Sequence, residues 1–233
     1  MNTISYLKEI YGYGTPIFLK DIRIGGKSKT SIRKDLSRAV ADGEINRDNR
    51  GVYYFDEKKD IPNSVSFLDV LKIKFIKNDY GFPGLDLDVY GYYSGYTFLN
   101  QIGISQQVPA IREIVTNKTS AKRLFKYDSY FALLRKGKIE INRFNYKALQ
   151  FLDAINLLTE DEINANKDLL KEYIVNNIPR KEFEENKGFY SNKLINKLIK
   201  TGLIYAFRWK QNHFWNKIQF KKPHSGLFFT NDF

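Results

Sequence analysis

Across 233 residues the chain has no cysteine, one methionine and two histidines. Without thiols there can be no disulfide, no thiolate zinc site and no cysteine nucleophile, a usage that fits a cytoplasmic protein. The histidines, His213 and His224, have no carboxylate cluster near them in sequence and read as surface groups rather than ligands. Long apolar runs are missing too: nothing approaches the roughly 20 residues a membrane helix needs. The opening MNTISYLKEIYGYG lacks the basic-then-apolar run of a secretory signal. The expectation is a soluble, intracellular protein with no membrane partner. Acidic residues are also few, 26 against 38 Lys and Arg, for a net charge of +12. Such an excess favours a polyanionic partner.

What is present supports a folded chain. Hydrophobic residues make up 42% and aromatics 15%, enough for a core in one large or two smaller domains. The cations are not spread evenly, because residues 177–222 hold 11 Lys and Arg against 3 Asp and Glu.

The stretch from Ser28 to Phe55 organises the rest. On a helical wheel, SKTSIRKDLSRAVADGEI gathers Ile32, Leu36, Ala39 and Val40 on one side. Thr30, Lys34, Ser37 and Arg38 fall opposite, with Arg33 on one flank and Ser31 on the other. Cations and hydroxyls of this kind suit phosphates and base edges. Ser28 or Thr30 can cap the helix, and Gly43 stands where a left-handed residue stops one. Two short strands are then expected around the turn-rich Asp48-Asn49-Arg50-Gly51, with Arg47, Asn49 and Arg50 near the tip. A solvated surface helix is the plain alternative for the helix alone. The order helix, helix, basic helix, basic hairpin points instead to a winged helix.

Upstream, Ile4, Leu7, Ile10 and Tyr11 predict a first helix ending near Gly12 and Gly14. Thr15-Pro16 opens a second over Ile17, Phe18, Leu19 and Ile22, broken by Gly25-Gly26. The predicted class is α+β: a winged helix-turn-helix over 1–56, then a mixed domain over 64–233 with a small sheet and several helices. The charged residues 56–63 connect the two, and a division near 160–176 is possible. Residues 64–78 favour helix over strand, residues 80–94 read as turns around an extended 85–89, and a short helix follows Ser94 and stops at Gly103. Val108–Thr116, Arg123–Tyr127 and Tyr130–Arg135 are rich in strand formers, and Gly137 turns the chain before Ile139-Glu140-Ile141. Leu149, Leu152, Ile155 and Leu158 define a helix. Thr159 to Glu162 is a capping-box pattern opening one that runs to Pro179, and the last spans Tyr190 to Lys200, stopped at Gly202.

The segment 205–222 interleaves cations with aromatics. Arg208, Lys210, Lys217, Lys221 and Lys222 beside Trp209, Phe214 and Trp215 could track phosphates and stack on bases, or the aromatics could be core residues of a terminal strand pair. Catalytic patterns are weak. Asp86-Leu87-Asp88 could place two carboxylates on one face but sits among Gly and Tyr like solvated loop acids. Gly25-Gly26-Lys27-Ser28 lacks the upstream glycine of a phosphate loop. No metal, cofactor or enzymatic role is expected.

The run Leu36-Ser37-Arg38-Ala39-Val40-Ala41-Asp42-Gly43-Glu44-Ile45-Asn46-Arg47, leading to Arg50-Gly51-Val52-Tyr53-Tyr54, resembles the N-terminal winged helix of abortive-infection antitoxins of the AbiEi type. Gly95-Tyr96-Thr97-Phe98-Leu99-Asn100-Gln101-Ile102-Gly103-Ile104 with Gln107-Val108-Pro109 is similar to the family's segment after the wing. The helix Tyr146 to Leu158 is similar to a later one. The resemblance covers about residues 1–160 and does not extend to 161–233. It implies a DNA-binding N-terminal domain, repression of the protein's own operon at promoter inverted repeats, as monomer or dimer, and opposition to a nucleotidyltransferase-like toxin. Expected contacts to DNA are Lys27, Ser28, Lys29, Thr30, Ser31, Arg33, Lys34, Ser37, Arg38, Arg47, Asn49 and Arg50. Two rivals stay open: a protein that neutralises a toxin by direct contact, and a plasmid replication or partition factor.

Overall fold

The computed structural model describes residues 2–48, 52–56, 66–77, 88–127 and 131–208. The chain is α+β with small sheets. It divides into two units, Met1–Ser94 with Pro109–Tyr146, and Gly95–Val108 with Lys147–Phe233. Among the described residues no helix is long and apolar enough to cross a membrane.

In the first unit, helix α1 (Thr3–Tyr11) starts at Asn2, whose side chain accepts from the Ile4 N–H, and stops at Gly12 with φ of 65°. The helix expected over Ile17 to Ile22 does not form. Ile17–Phe18 is strand β1, and a turn closed by the Asp21 N–H on the Phe18 carbonyl follows it. The reason lies in where the two side chains go. Neighbouring residues of a strand point to opposite faces. Ile17 joins a core with Leu7, Ile32, Leu36 and Ile45. Phe18 joins another with Val70, Leu71, Phe75, Ile114 and Leu134. A helix would turn adjacent side chains only about 100° apart and could not serve both cores.

Helix α2 (Lys29–Ala41) is followed by β2 (Asn46–Asp48) and β3 (Val52–Tyr54), the expected helix and hairpin. The three strands form a sheet in the order β1-β3-β2, with Ile17 opposite Tyr53 and Arg47 opposite Tyr53 on its other side. β3 continues the alternation of β1. Val52 and Tyr54 face the core shared with Phe18, whereas Tyr53 and the following Phe55 face the core under α2.

Helix α3 (Phe67–Phe75) is a helix, as the apolar spacing favours, and buries Val70, Leu71, Ile73 and Phe75. A second sheet has the order β4-β5-β7-β6, made by Gly91–Tyr93, Arg112–Thr116, Ala132–Arg135 and Phe125–Tyr127. β5 and β7 run parallel and the other pairs antiparallel. Strand β4 falls where turns were expected. Gly91 explains this, because a Cβ there would overlap the Phe75 carbonyl oxygen and lie 2.8 Å from that of Val115. Here the glycine marks a close approach of backbones, which sequence alone reads as a turn. Residues 108–111 stay outside β5, and Ile139–Ile141 is not a strand. The Asn117 amide brackets Ile141 instead, donating to its carbonyl at 2.8 Å and accepting from its N–H at 3.0 Å.

The second unit holds α4 (Gly95–Gln101), α5 (Tyr146–Leu157), α6 (Glu160–Ala165), α7 (Lys167–Asn177), α8 (Arg180–Asn186) and α9 (Asn192–Lys200). The capping box at Thr159 and Glu162 forms as expected. The single helix expected from there to Pro179 is two helices, because Asn166 leaves helical geometry (φ −111°, ψ 20°) and turns its amide onto the Glu162 carbonyl at 2.9 Å. Helix α8 went unforeseen. It is held by Phe183, whose ring stacks on Phe207 at 3.8 Å between centroids, and Phe207 also meets Phe151 edge-on.

Replacing Asn117 by Ala leaves both backbone groups of the buried Ile141 without these partners. The expected cost is about 1–3 kcal/mol, read as a lower urea midpoint with an unchanged slope.

Candidate nucleic-acid interface

Helix α2 is fixed by its inner side. Ile32, Leu36 and Ala39 are buried against Leu7 of α1, Ile17, Ile22, Ile45, Tyr53 and Phe55. Burying side chains of the size of Ile32 and Leu36 contributes about 1.5–3 kcal/mol each, so the helix cannot roll about its axis cheaply. Val40, expected in the core, is only half-buried at its edge. Ser28 caps the helix by accepting from the Ser31 N–H at 3.1 Å, and Gly43 follows its end with φ of 70°.

The outer side carries what the helical wheel assigned to it. Lys29, Thr30, Arg33, Lys34, Ser37 and Arg38 are all exposed, as is the capping Ser28, and Ser31 is half-buried. Asp35 is the one acid in the helix, and it is engaged. Lys27 donates to its carboxylate at 2.7 Å, and the hydroxyl of the buried Thr3 donates to the same oxygen while accepting from Lys27 at 2.6 Å. This triad ties the entry of α2 to the start of α1. Lys27, expected to contact DNA, is thus half-buried and paired with Asp35 and Thr3. Thr3 and Asp35 were missed, since a threonine opening one helix and an acid within another give no sign in sequence that they meet.

The Lys27 ammonium and then the Thr3 hydroxyl hold the Asp35 carboxyl below its ordinary value. With the Asp35 carboxylate paired to Lys27, the exposed charges on the outer side of α2 are Lys29, Arg33, Lys34 and Arg38. Its first turn has no acid, so the positive end of the helix dipole lies beside Lys29 and Thr30, a favourable setting for a phosphate. The other end of α2 differs. Asp42, Glu44 and Asp56 line a groove of about 520 Å³ with Asn2, Lys8 and Asn46, so acids outnumber cations on this side.

Comparison with known protein families, with curated proteins and with solved structures finds no match. Geometry therefore bears only on what the α2 face can contact.

On the hairpin, Arg47 is exposed, with its guanidinium 5.7 Å from the ring centre of Tyr53, its partner across the strands. The tip residues Asn49 and Arg50 lie outside the described residues, as do Lys210, Lys217, Lys221, Lys222, His213, His224 and Asp86. Arg208 ends the 3-10 turn Leu203–Arg208, and Asp88 is exposed.

A lowered carboxyl stabilises the fold in full above the ordinary carboxylate value and loses that contribution as pH falls through the lowered one. Wild type should therefore melt above Asp35→Asn near neutral pH, with the gap closing in acid. Thermal melts of both proteins across that range check it.

Proposed function

We propose that the N-terminal module is a winged helix in which β1 and its turn replace the usual second helix, and that the protein is a sequence-specific DNA-binding repressor. One observation carries this reading: the outer side of α2 presents Lys29, Thr30, Arg33, Lys34, Ser37 and Arg38 to solvent together, while its inner side is locked in a core. A helix fits the major groove, and Arg and Lys there can reach guanine edges while Thr and Ser donate to phosphates or bases. Arg47 on the hairpin adds a backbone or minor-groove contact. Neutralising phosphates supplies affinity, and the few side chains that reach base edges supply sequence choice.

The biological role rests on the likeness to AbiEi-type antitoxins described above. On that reading the protein represses the operon that encodes it together with a nucleotidyltransferase-like toxin. Inverted repeats in its own promoter are the natural operator, occupied by two copies or a dimer. The exposed α2 face supports the DNA-binding half of this proposal, and the toxin remains to be sought in the neighbouring gene.

Lys34→Ala combined with Arg38→Ala should weaken promoter binding by about 1–3 kcal/mol for each side chain that reads a base, and by less for one that touches only phosphate. A gel-shift titration on the protein's own promoter checks this, and unchanged affinity removes the assignment.

A further inference from the structure

Helix α9 repeats the local construction of α2. Ser191 caps it by accepting from the Leu194 N–H at 3.4 Å, as Ser28 caps α2. Gly202 follows its end with φ of 74°, two residues past the last helical one, as Gly43 does after α2 with φ of 70°. A buried aliphatic lies one residue past Gly202, Leu203, and two past Gly43, Ile45. The inner side of α9 is Leu194 and Leu198, both buried. Turning about 100° per residue, Asn192, Lys193, Asn196 and Lys200 fall on one arc opposite them, and all four are exposed.

The helix before it completes a recognisable unit. α8 and α9 are joined through the 3-10 turn Lys187–Phe189, an element order that helix-turn-helix units share. The joint is anchored, because the Tyr190 hydroxyl donates to the Leu149 carbonyl at 3.1 Å and lies 2.9 Å from the Asp153 carboxylate of α5. α9 is fixed too. Its Lys197 donates to the Ile155 carbonyl at 3.0 Å and to that of Leu158, which takes this lysine away from the outer arc. Lys200 meets Glu160 at 3.3 Å with side chains 66% and 48% exposed, a pairing that solvent makes weak and exchangeable.

Charge argues for the occupant. From residue 187 to residue 231 the sequence has nine Lys and Arg and no Asp or Glu. We propose that the outer arc of α9, with Asn192, Lys193, Asn196 and Lys200, is a second duplex-DNA contact surface, separate from α2. The lysines meet phosphates. The two asparagine amides can each donate and accept toward the major-groove edge of adenine. This surface goes beyond the role of α2 and does not depend on it.

The test uses the full chain and duplex DNA bearing its promoter, with binding followed by fluorescence anisotropy over a range of salt. Each phosphate neutralised steepens the plot of log affinity against log salt by roughly 0.9, so Lys193→Ala with Lys200→Ala should flatten it by about 2. Lys122→Ala with Lys136→Ala removes the same charge from exposed sites in the first unit and should flatten it much less. Lys193→Gln with Lys200→Gln serves if the alanine pair fails to give a wild-type circular-dichroism melt. A slope equal to wild type, or matched by the control pair, overturns the proposal. So does a loss seen on phosphatidylserine vesicles but not on duplex. Lys34→Ala with Arg38→Ala runs alongside: no change there with a flattened slope for the α9 pair would sink the α2 reading and leave this one standing.

Discussion

The pairing of β1 with β3 is the constraint on which the first unit depends. Each strand delivers successive side chains to two different cores, Ile17 and Tyr53 to one, Phe18 and Val52 to the other. Two strands of so few residues would be marginal alone. They persist because both faces are buried at once, so a shift of one residue would exchange the contents of two cores. Through this partition the core beneath α2 is bonded to the one containing α3 and the second sheet. The outer face of α2 is thus presented by a scaffold larger than a three-helix cluster.

Positive character at the proposed surface depends on offsetting a negative charge as well as on adding cations. Asp35 sits among Arg33, Lys34 and Arg38, and left alone it would oppose a phosphate. Lys27 and Thr3 occupy it instead, so one contact both orients the helix and cleans its field. α9 has no acid within the helix, and its Lys197 is spent on the carbonyls of Ile155 and Leu158.

Much of the local structure was legible from residue type and spacing. The Ser28 cap, the Gly43 stop, the buried and exposed sides of α2, the hairpin and the Thr159 to Glu162 capping box all follow from interactions within a few residues. The same holds for the candidate surface, since exposure of Arg33, Lys34 and Arg38 is the complement of burying Ile32, Leu36 and Ala39. Errors clustered where a distant partner decides. Thr15 to Ile22 has a helix start signal, yet β3 recruits Ile17 and Phe18 as a strand. Gly91 looks like a turn until the backbones of Phe75 and Val115 are laid against it. Asn166 is the exception, since the Glu162 carbonyl that takes its amide lies only four residues back.

By itself, then, the chain's sequence determined its helix caps, most of its amphipathic faces and its excess of cations, because these depend on near neighbours or on composition. Tertiary structure alone decided the strand order β4-β5-β7-β6, the two-core role of β1, and the withdrawal of Lys27 and Lys197 from the surface. Each of those rests on groups brought together from far along the chain, and a linear pattern carries no record of which distant residues will meet.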